Sequence, residues 1–367
     1  MSDSPHKQVP IIAVDVRMAQ HSGIGRYIRE TMPRVRTRLP EVCWRWVGQA
    51  PADWMQLTTP QTEFREWAAP AYSWREHLST PPALAEASVR WIPHYNVTTG
   101  GRARLMVTVH DLLPLRFTGN GRAQIRAWLF RAYLRRIRRT AARVCVNSQF
   151  TAAELASLGQ IPTERIQVTP LAADPTRFGT STPLKDTNIG FVFLGNLKPH
   201  KNLETLLAAW EQVASLVPGR LLIVGQRTGF FTTDTRSQRR IDHMGERVQF
   251  TGAIDDQALG LLLRQATAMV LPSLYEGFGL PVLEAMSVGC PVIAANAGAL
   301  PEVGGAAALY FPPQDTTALA GQMLRTGRDE ALRAQLRQAG LARASLFTWD
   351  KTAELTAQAL RQVLDQV

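Results

Sequence analysis

The chain has 367 residues, too many for one ordinary hydrophobic core and enough for two domains of usual size. Hydrophobic residues make up 45% and charged residues 19%, which excludes a disordered protein, and the longest apolar stretches, such as Ile189 to Leu194, fall far short of the roughly 20 residues a membrane-spanning helix needs. The net charge of +11 is lopsided: residues 1–185 carry 25 basic against 13 acidic side chains, net +12, and the rest 16 against 17, net −1.

The amino-terminal segment Met1 to Lys7 is polar and lacks a secretory apolar region, so a cytoplasmic protein is expected. Val9 to Val16 predicts a buried strand, and the glycine turn Ser22 to Ile28, with Gly23 and Gly25, leads into a helix. That order opens a nucleotide-type α/β unit, although Ile28 stands where a dinucleotide fingerprint has its third glycine, and a plain tight turn fits as well. Residues 40–100 are rich in Trp and Pro and poorly periodic, and are expected to form short strands and loops. Leu105 onward reads as a strand that delivers His110 and Asp111 to its carboxyl end. A histidine there either donates to a substrate or is satisfied within the fold.

Arg116 to Arg143 holds nine arginines, with no acidic residue between Asp111 and Glu154. On a helix, Arg131, Arg135 and Arg138 share one face, with Arg136 and Arg139 beside them, while Phe130, Leu134, Ile137 and Ala141 share another. The basic side is a solvated face or a surface for anionic lipid headgroups or a phosphate-bearing acceptor. Nucleic acid is not expected as a partner, because no recognisable binding module accompanies the charge. Strands follow at Arg143 to Asn147 and Arg165 to Leu171, and the turn-rich stretch from Ala173 to Asn188 reads as a linker. Domains are therefore expected at 1–175 and 188–345, with a last helix in 346–367 able to pack back on the first.

Strand and helix alternation restarts at Gly190 to Gly195, with strands at Leu221 to Val224, Val248 to Phe250, Ala268 to Leu271 and Pro291 to Ala294. Two doubly wound parallel sheets follow from that pattern. Their carboxyl-end loops would bring Asn196, His200, Lys201, Gly252 and the run Pro272 to Glu284 to one edge. Lys201 either is solvated or meets a phosphate at the start of the next helix. In the last run Glu276, Gly277, Phe278, Gly279, Leu280 and Glu284 form a glycine-bracketed loop entering a helix. Its two carboxylates suit sugar or ribose hydroxyls, or simply a helix dipole and solvent. Cys43, Cys145 and Cys290 are scattered, so neither a disulfide framework nor a cysteine metal site is expected.

Taken together, Ser22 to Ile28, Thr108 to Pro114, Gly195 to Leu203, Arg247 to Gly252, Pro272 to Glu284 and Pro301 to Gly305 resemble the retaining glycosyltransferases of family four, group 1, over nearly the whole chain. The resemblance implies a GT-B architecture, two Rossmann-like α/β domains facing a cleft, and a nucleotide-sugar donor. It implies that Glu284 grips the ribose, that Glu276 and the amides of Gly277 to Leu280 hold the sugar, and that Lys201 neutralises the diphosphate. His110 would lie near the reacting carbon, with Gly23 and Gly25 approaching the donor phosphates or the acceptor. Many members have an arginine where this chain has Asn196, leaving His200, Lys198 or Arg26 as the second cation. A hexose of mannose or rhamnose type, activated by GDP or dTDP, would pass to a glycan acceptor, lipid-linked in keeping with the basic first half. No Asp-x-Asp sequence occurs, so no essential metal and no cofactor are expected. The rival readings are a nucleotide-sugar 2-epimerase of the same architecture, a non-catalytic glycan- or membrane-binding subunit and, least supported, a dehydrogenase.

Overall fold

The computed structural model describes residues 9–21, 23–49, 54, 59–71, 76, 80–119, 121–179, 188–225, 240, 241 and 243–367. Ser22, the amino-terminal segment, residues 180–187 of the expected linker and most of the loop after Gly225 lie outside them. The chain divides into two units, residues 1–171 with 349–367, and residues 172–348.

The first unit is a seven-stranded parallel sheet of β1 (Ile11–Asp15), β2 (Cys43–Val47), β3 (Thr62–Arg65), β4 (Val89–Ile92), β5 (Arg104–Val109), β6 (Ala141–Val146) and β7 (Ile166–Val168). Their spatial order is β3-β2-β1-β4-β5-β6-β7, so the winding reverses between β1 and β4. The weak periodicity of residues 40–100 has two causes. Trp44, Trp46 and Trp91 are fully buried in strands covered on both faces, and Arg45 faces Glu63 across β2 and β3, where the two side chains pair. The Gly121–Thr140 helix buries Phe130, Leu134 and Ile137 in this core, and Ala141 already belongs to β6. The carboxy-terminal helix Trp349–Leu364 also belongs to this unit: Thr352 donates to the Pro170 carbonyl at 2.5 Å and Asp350 pairs with Arg38 at 2.6 Å.

The second unit is a six-stranded parallel sheet of β8 (Ile189–Leu194), β9 (Arg220–Val224), β10 (Val248–Gly252), β11 (Ala268–Leu271), β12 (Val292–Ala295) and β13 (Leu309–Phe311), ordered β10-β9-β8-β11-β12-β13. Here the winding reverses between β8 and β11. The unit begins at Ala172, ahead of the expected linker, and the 3-10 turn Pro175–Phe178 packs on the Asp256–Gln265 helix. Arg177 pairs with Asp256, Arg264 donates to the carbonyls of Phe178 at 3.1 Å and Gly179 at 2.7 Å, and a Cβ on Gly260 would sit 2.5 Å from Phe178.

Candidate functional site

Open α/β sheets bind ligands beyond the carboxyl ends of their strands where the winding reverses. In the second sheet that point lies between the loop after β8 and the loop after β11, which carry Lys201 and Glu276. The two loops are stitched together by backbone and side chain. The Leu274 amide donates to the His200 carbonyl at 2.8 Å, and Asn202 donates from Nδ2 to the carbonyls of Pro272 at 3.0 Å and Pro313 at 2.6 Å. Asn202 adopts a left-handed conformation, φ 55° and ψ 40°, that asparagine tolerates better than most residues, and its Oδ1 accepts from Thr205 in the first turn of the Leu203–Val213 helix.

Through this clip Lys201 Nζ reaches Glu276 Oε1 at 2.5 Å, and Ser273 Oγ donates to the same oxygen at 2.7 Å. Both charged side chains keep about 15% exposure, so the pair is shielded but open to a ligand. The sequence places these two residues on one edge; the structure adds that they bind each other. Glu276 is held from beneath by the loop after β12, where the Ala299 amide donates to its carbonyl at 3.0 Å. Gly298 there has φ +57°, and a Cβ on it would lie 2.6 Å from the Glu276 carbonyl oxygen.

Gly279 is the left-handed residue that turns the chain into the Leu280–Ser287 helix, with φ 98°. Pro281 occupies the first turn, and Glu284, fifth in the helix and buried, falls in the second turn and not the first. Phe278 is buried and packs edge-on against Phe347 with ring centroids 6.0 Å apart, so its side chain anchors the loop. Gly195 follows β8 with its amide bonded to the Val224 carbonyl at 3.0 Å, leading into Asn196. Gly252 ends β10 with φ +72° and open space where a Cβ would stand.

Burial first, and the Lys201 ammonium second, push the His200 imidazole down to about 4, so it is neutral at pH 7 and offers at most a hydrogen bond.

In the first unit His110 lies at the carboxyl end of β5, and both its ring nitrogens are engaged. Nε2 lies 3.0 Å from the Pro93 carbonyl and Nδ1 2.8 Å from Asn147 Nδ2. Tyr27 meets the ring edge-on at 5.0 Å, and its hydroxyl and Trp91 Nε1 both bond Thr108 Oγ1. Asp111 caps the following turn by accepting from the Leu113 amide at 2.9 Å. Gly25 is demanded by packing: a Cβ would meet the Ala19 carbonyl at 2.4 Å, whereas Gly23 faces open space. The sequence reading missed Arg17, which follows β1 at the first sheet's reversal point. It pairs with Asp15 at 2.6 Å and Glu76 at 2.5 Å, and its guanidinium stacks 3.4 Å from the Trp67 ring centroid. An arginine directly after a nucleotide-type strand was the signal available for it.

Burial also pushes His110 to about 4 and His94 well below the usual histidine value. All three histidines have folded pKa values under the unfolded value of about 6.5, so below that pH the unfolded chain binds protons that the folded chain does not. Their contribution is fully present above about pH 6.5 and is lost as pH falls, with the His110 and His200 share gone by about pH 4. Urea midpoints are expected to be equal at pH 8 and 7 and lower at pH 5. An unchanged midpoint at pH 5 would contradict the buried, neutral state.

On the Gly121–Thr140 helix Arg131, Arg135 and Arg139 are exposed. Arg138, though exposed, bonds Gln160, and Arg136 is half-buried, so the outward basic set is narrower than the helical spacing suggests. No helix among the described residues is long and apolar enough to cross a membrane.

Residues 188–329 match the family profile described as Glycosyl transferases group 1, and residues 63–177 that described as Glycosyltransferase Family 4. Among curated proteins the chain is 30% identical over 226 residues to O-antigen chain mannosyltransferase B of Escherichia coli, covering 58% of this chain and 59% of that protein. It is 32% identical over 178 residues to the serotype-specific mannosyltransferase WbdA of Escherichia coli, covering 47% of this chain and 21% of that protein. The chain thus spans under two thirds of either relative. Among solved structures, sucrose-phosphate synthase from Thermosynechococcus elongatus superposes with a TM-score of 0.72 at 22% identity, over 98% of this chain and 100% of that one. Anabaena HepE in complex with UDP and glucose gives 0.71 at 20% identity, over 96% and 99%. These likenesses place each half in the same two-domain α/β fold, GT-B. The two profiles together take in most of the chain, which belongs to the group 1 glycosyltransferases of family four.

Proposed function

We propose that the protein transfers a hexose of mannose or rhamnose type from a nucleotide sugar to a hydroxyl of a glycan in cell-surface polysaccharide synthesis, retaining the donor's configuration without a metal. The observation that carries this reading is the Lys201–Glu276 pair at the reversal point of the second sheet, beside the amino end of the Leu280–Ser287 helix. The mannosyltransferase relatives support the sugar class. In the step proposed, the bond from C1 to the diphosphate oxygen breaks with its electron pair going to phosphate. The acceptor oxygen bonds C1 on the same face, and its proton passes to the leaving phosphate. Lys201 and the positive end of the Leu280–Ser287 helix dipole stabilise the departing charge, the largest lever available to such a site. Glu276 orients the sugar hydroxyls and Glu284 the ribose.

GDP- and dTDP-sugars are the favoured donors, with UDP-sugars as the competing class. A thermal-shift screen discriminates among them: the true donor at about a hundredfold excess over its dissociation constant should add about 2.7 kcal/mol of apparent stability. Product analysis then separates transfer, which needs an acceptor, from 2-epimerisation, which does not. No shift with any sugar nucleotide would overturn the reading and leave the non-catalytic subunit.

The acceptor is proposed to be lipid-linked and reached at an anionic membrane face. Ile125 and Trp128, each more than 60% exposed, stand with Leu129 on the side of the Gly121–Thr140 helix away from its buried residues, just before Arg131, Arg135 and Arg139. An apolar wedge followed by arginines suits the headgroup boundary of an anionic bilayer. Flotation with phosphatidylglycerol vesicles at low salt is expected, and it should be lost when Trp128 becomes alanine and the three arginines become glutamine. A protein that never floats, or variants that float as well as the parent, would remove the membrane from this proposal.

A further inference from the structure

We propose that Asn147 is a positioning residue for the transfer reaction: its side-chain amide fixes His110 as the neutral tautomer protonated on Nε2 and locks the plane of the ring. The role in transfer rests on the function proposed above; the tautomer does not. The assignment follows from what each partner is able to do. The Pro93 carbonyl can only accept, so the Nε2 lying 3.0 Å away carries the proton. A neutral imidazole has one proton, so Nδ1 presents a lone pair, and only a donor satisfies it. Asn147 supplies that donor through Nδ2 at 2.8 Å. With its oxygen turned toward the ring instead, it would draw a proton to Nδ1.

The three groups come from the carboxyl ends of β4, β5 and β6, neighbours in the first sheet, so the sheet itself sets their spacing. Asn147 is 2% exposed. Among the described residues, the titratable rings in contact with the His110 ring are Tyr27 from the Gly23–Arg38 helix, at 5.0 Å, and His94 from the loop after β4, at 6.0 Å. Asp111, next along the chain, is occupied with the Leu113 amide. Tyr27 has its phenol pushed up by burial, and His94 is pushed down, so both are neutral at pH 7. Neutrality serves the proposed chemistry. The anomeric carbon gains positive charge as its bond to diphosphate breaks, and a neutral ring, in the role that the family resemblance implies for His110, does not oppose that step.

The test reads the histidine ring directly. Ring 15N and 1H shifts are recorded between pH 4.5 and 8 for the wild type and for Asn147→Asp, Asn147→Ala and Asn147→Ser, with the His110 signal identified by its absence in His110→Gln. The wild-type ring should show the Nε2–H tautomer and no titration above pH 5. In Asn147→Asp the carboxylate accepts from Nδ1, so the ring should titrate at least one unit higher. Its kcat should fall roughly tenfold or more with donor KM little changed, the loss easing as pH rises. Asn147→Ala should yield mixed tautomers, and Asn147→Ser, whose hydroxyl can donate, should restore the wild-type one. A wild-type ring protonated on Nδ1, or Asn147→Asp with an unmoved ring and an unchanged pH–rate profile, would overturn the proposal. If the wild type has the assigned tautomer but transfers no sugar, the transfer reading fails and the positioning role with it.

Discussion

Replacing Glu276 by alanine is expected to reduce sugar transfer by about a hundred- to a thousandfold, the range seen when one preorganised polar group is removed from a site where charge develops. The same loss is expected for Lys201→Ala. The two side chains share one contact, Nζ to Oε1 at 2.5 Å, buttressed by Ser273 at 2.7 Å, so they act as a unit. Their combined loss should therefore fall well short of the sum of the single losses. Stability should drop much less. Each group has some access to water, which lets the abandoned partner be solvated, and a cost of about 1–3 kcal/mol is expected, between exposed and fully buried pairs. Steady-state turnover and urea midpoints for the two single variants and the double variant check both statements. Normal turnover in both purified single variants, on a confirmed donor and acceptor, overturns the site.

A second large effect is expected at an uncharged position, Gly298. A Cβ there would stand 2.6 Å from the carbonyl oxygen and 2.8 Å from the nitrogen of Glu276, both backbone atoms, and the residue holds φ +57°. Alanine adds backbone strain and a contact that no side-chain rotation relieves, together about 2–4 kcal/mol. The loop has to move, and with it the Ala299 to Glu276 hydrogen bond and the carboxylate that meets Lys201. Gly298→Ala should thus lose transfer nearly as completely as Glu276→Ala while also lowering the urea midpoint. Gly245→Ala is the control, since it has a similar φ of +53° but open space around a Cβ, so it should cost only about 1 kcal/mol and leave activity intact. Equal behaviour of the two variants would show that the close approach to Glu276 is not what matters.

Much of this site is legible in order along the chain. The apolar runs of β8 and β11 and the glycines before the Leu280–Ser287 helix place Lys201 and Glu276 on one sheet edge, because a parallel sheet puts every strand's carboxyl end on the same side. Other parts are not. Asn202 reads as an ordinary loop asparagine, yet it ties together loops separated by about 70 and 110 residues, and nothing local announces its left-handed backbone. Asn147 reads as the end of a strand, and only β5 and β6 lying side by side set its amide against His110. The basic helix shows the same limit: spacing groups Arg131, Arg135 and Arg138, but the Gln160 contact and the burial of Arg136 depend on neighbours that spacing does not contain.

Alternation of apolar and helical periods and the placement of glycines are local properties, so the two α/β units and the strand-end positions of Lys201, His110 and Glu276 are legible along the chain, and the six motifs together carry the resemblance to the family. That Lys201 and Glu276 pair, that the His200 imidazole is pushed down beside Lys201, that Gly298 underlies the glutamate, and that both nitrogens of His110 are engaged became visible in the folded chain alone. Those outcomes depend on distances of a few ångströms between segments remote in the chain, and on how much water each group retains once the segments pack.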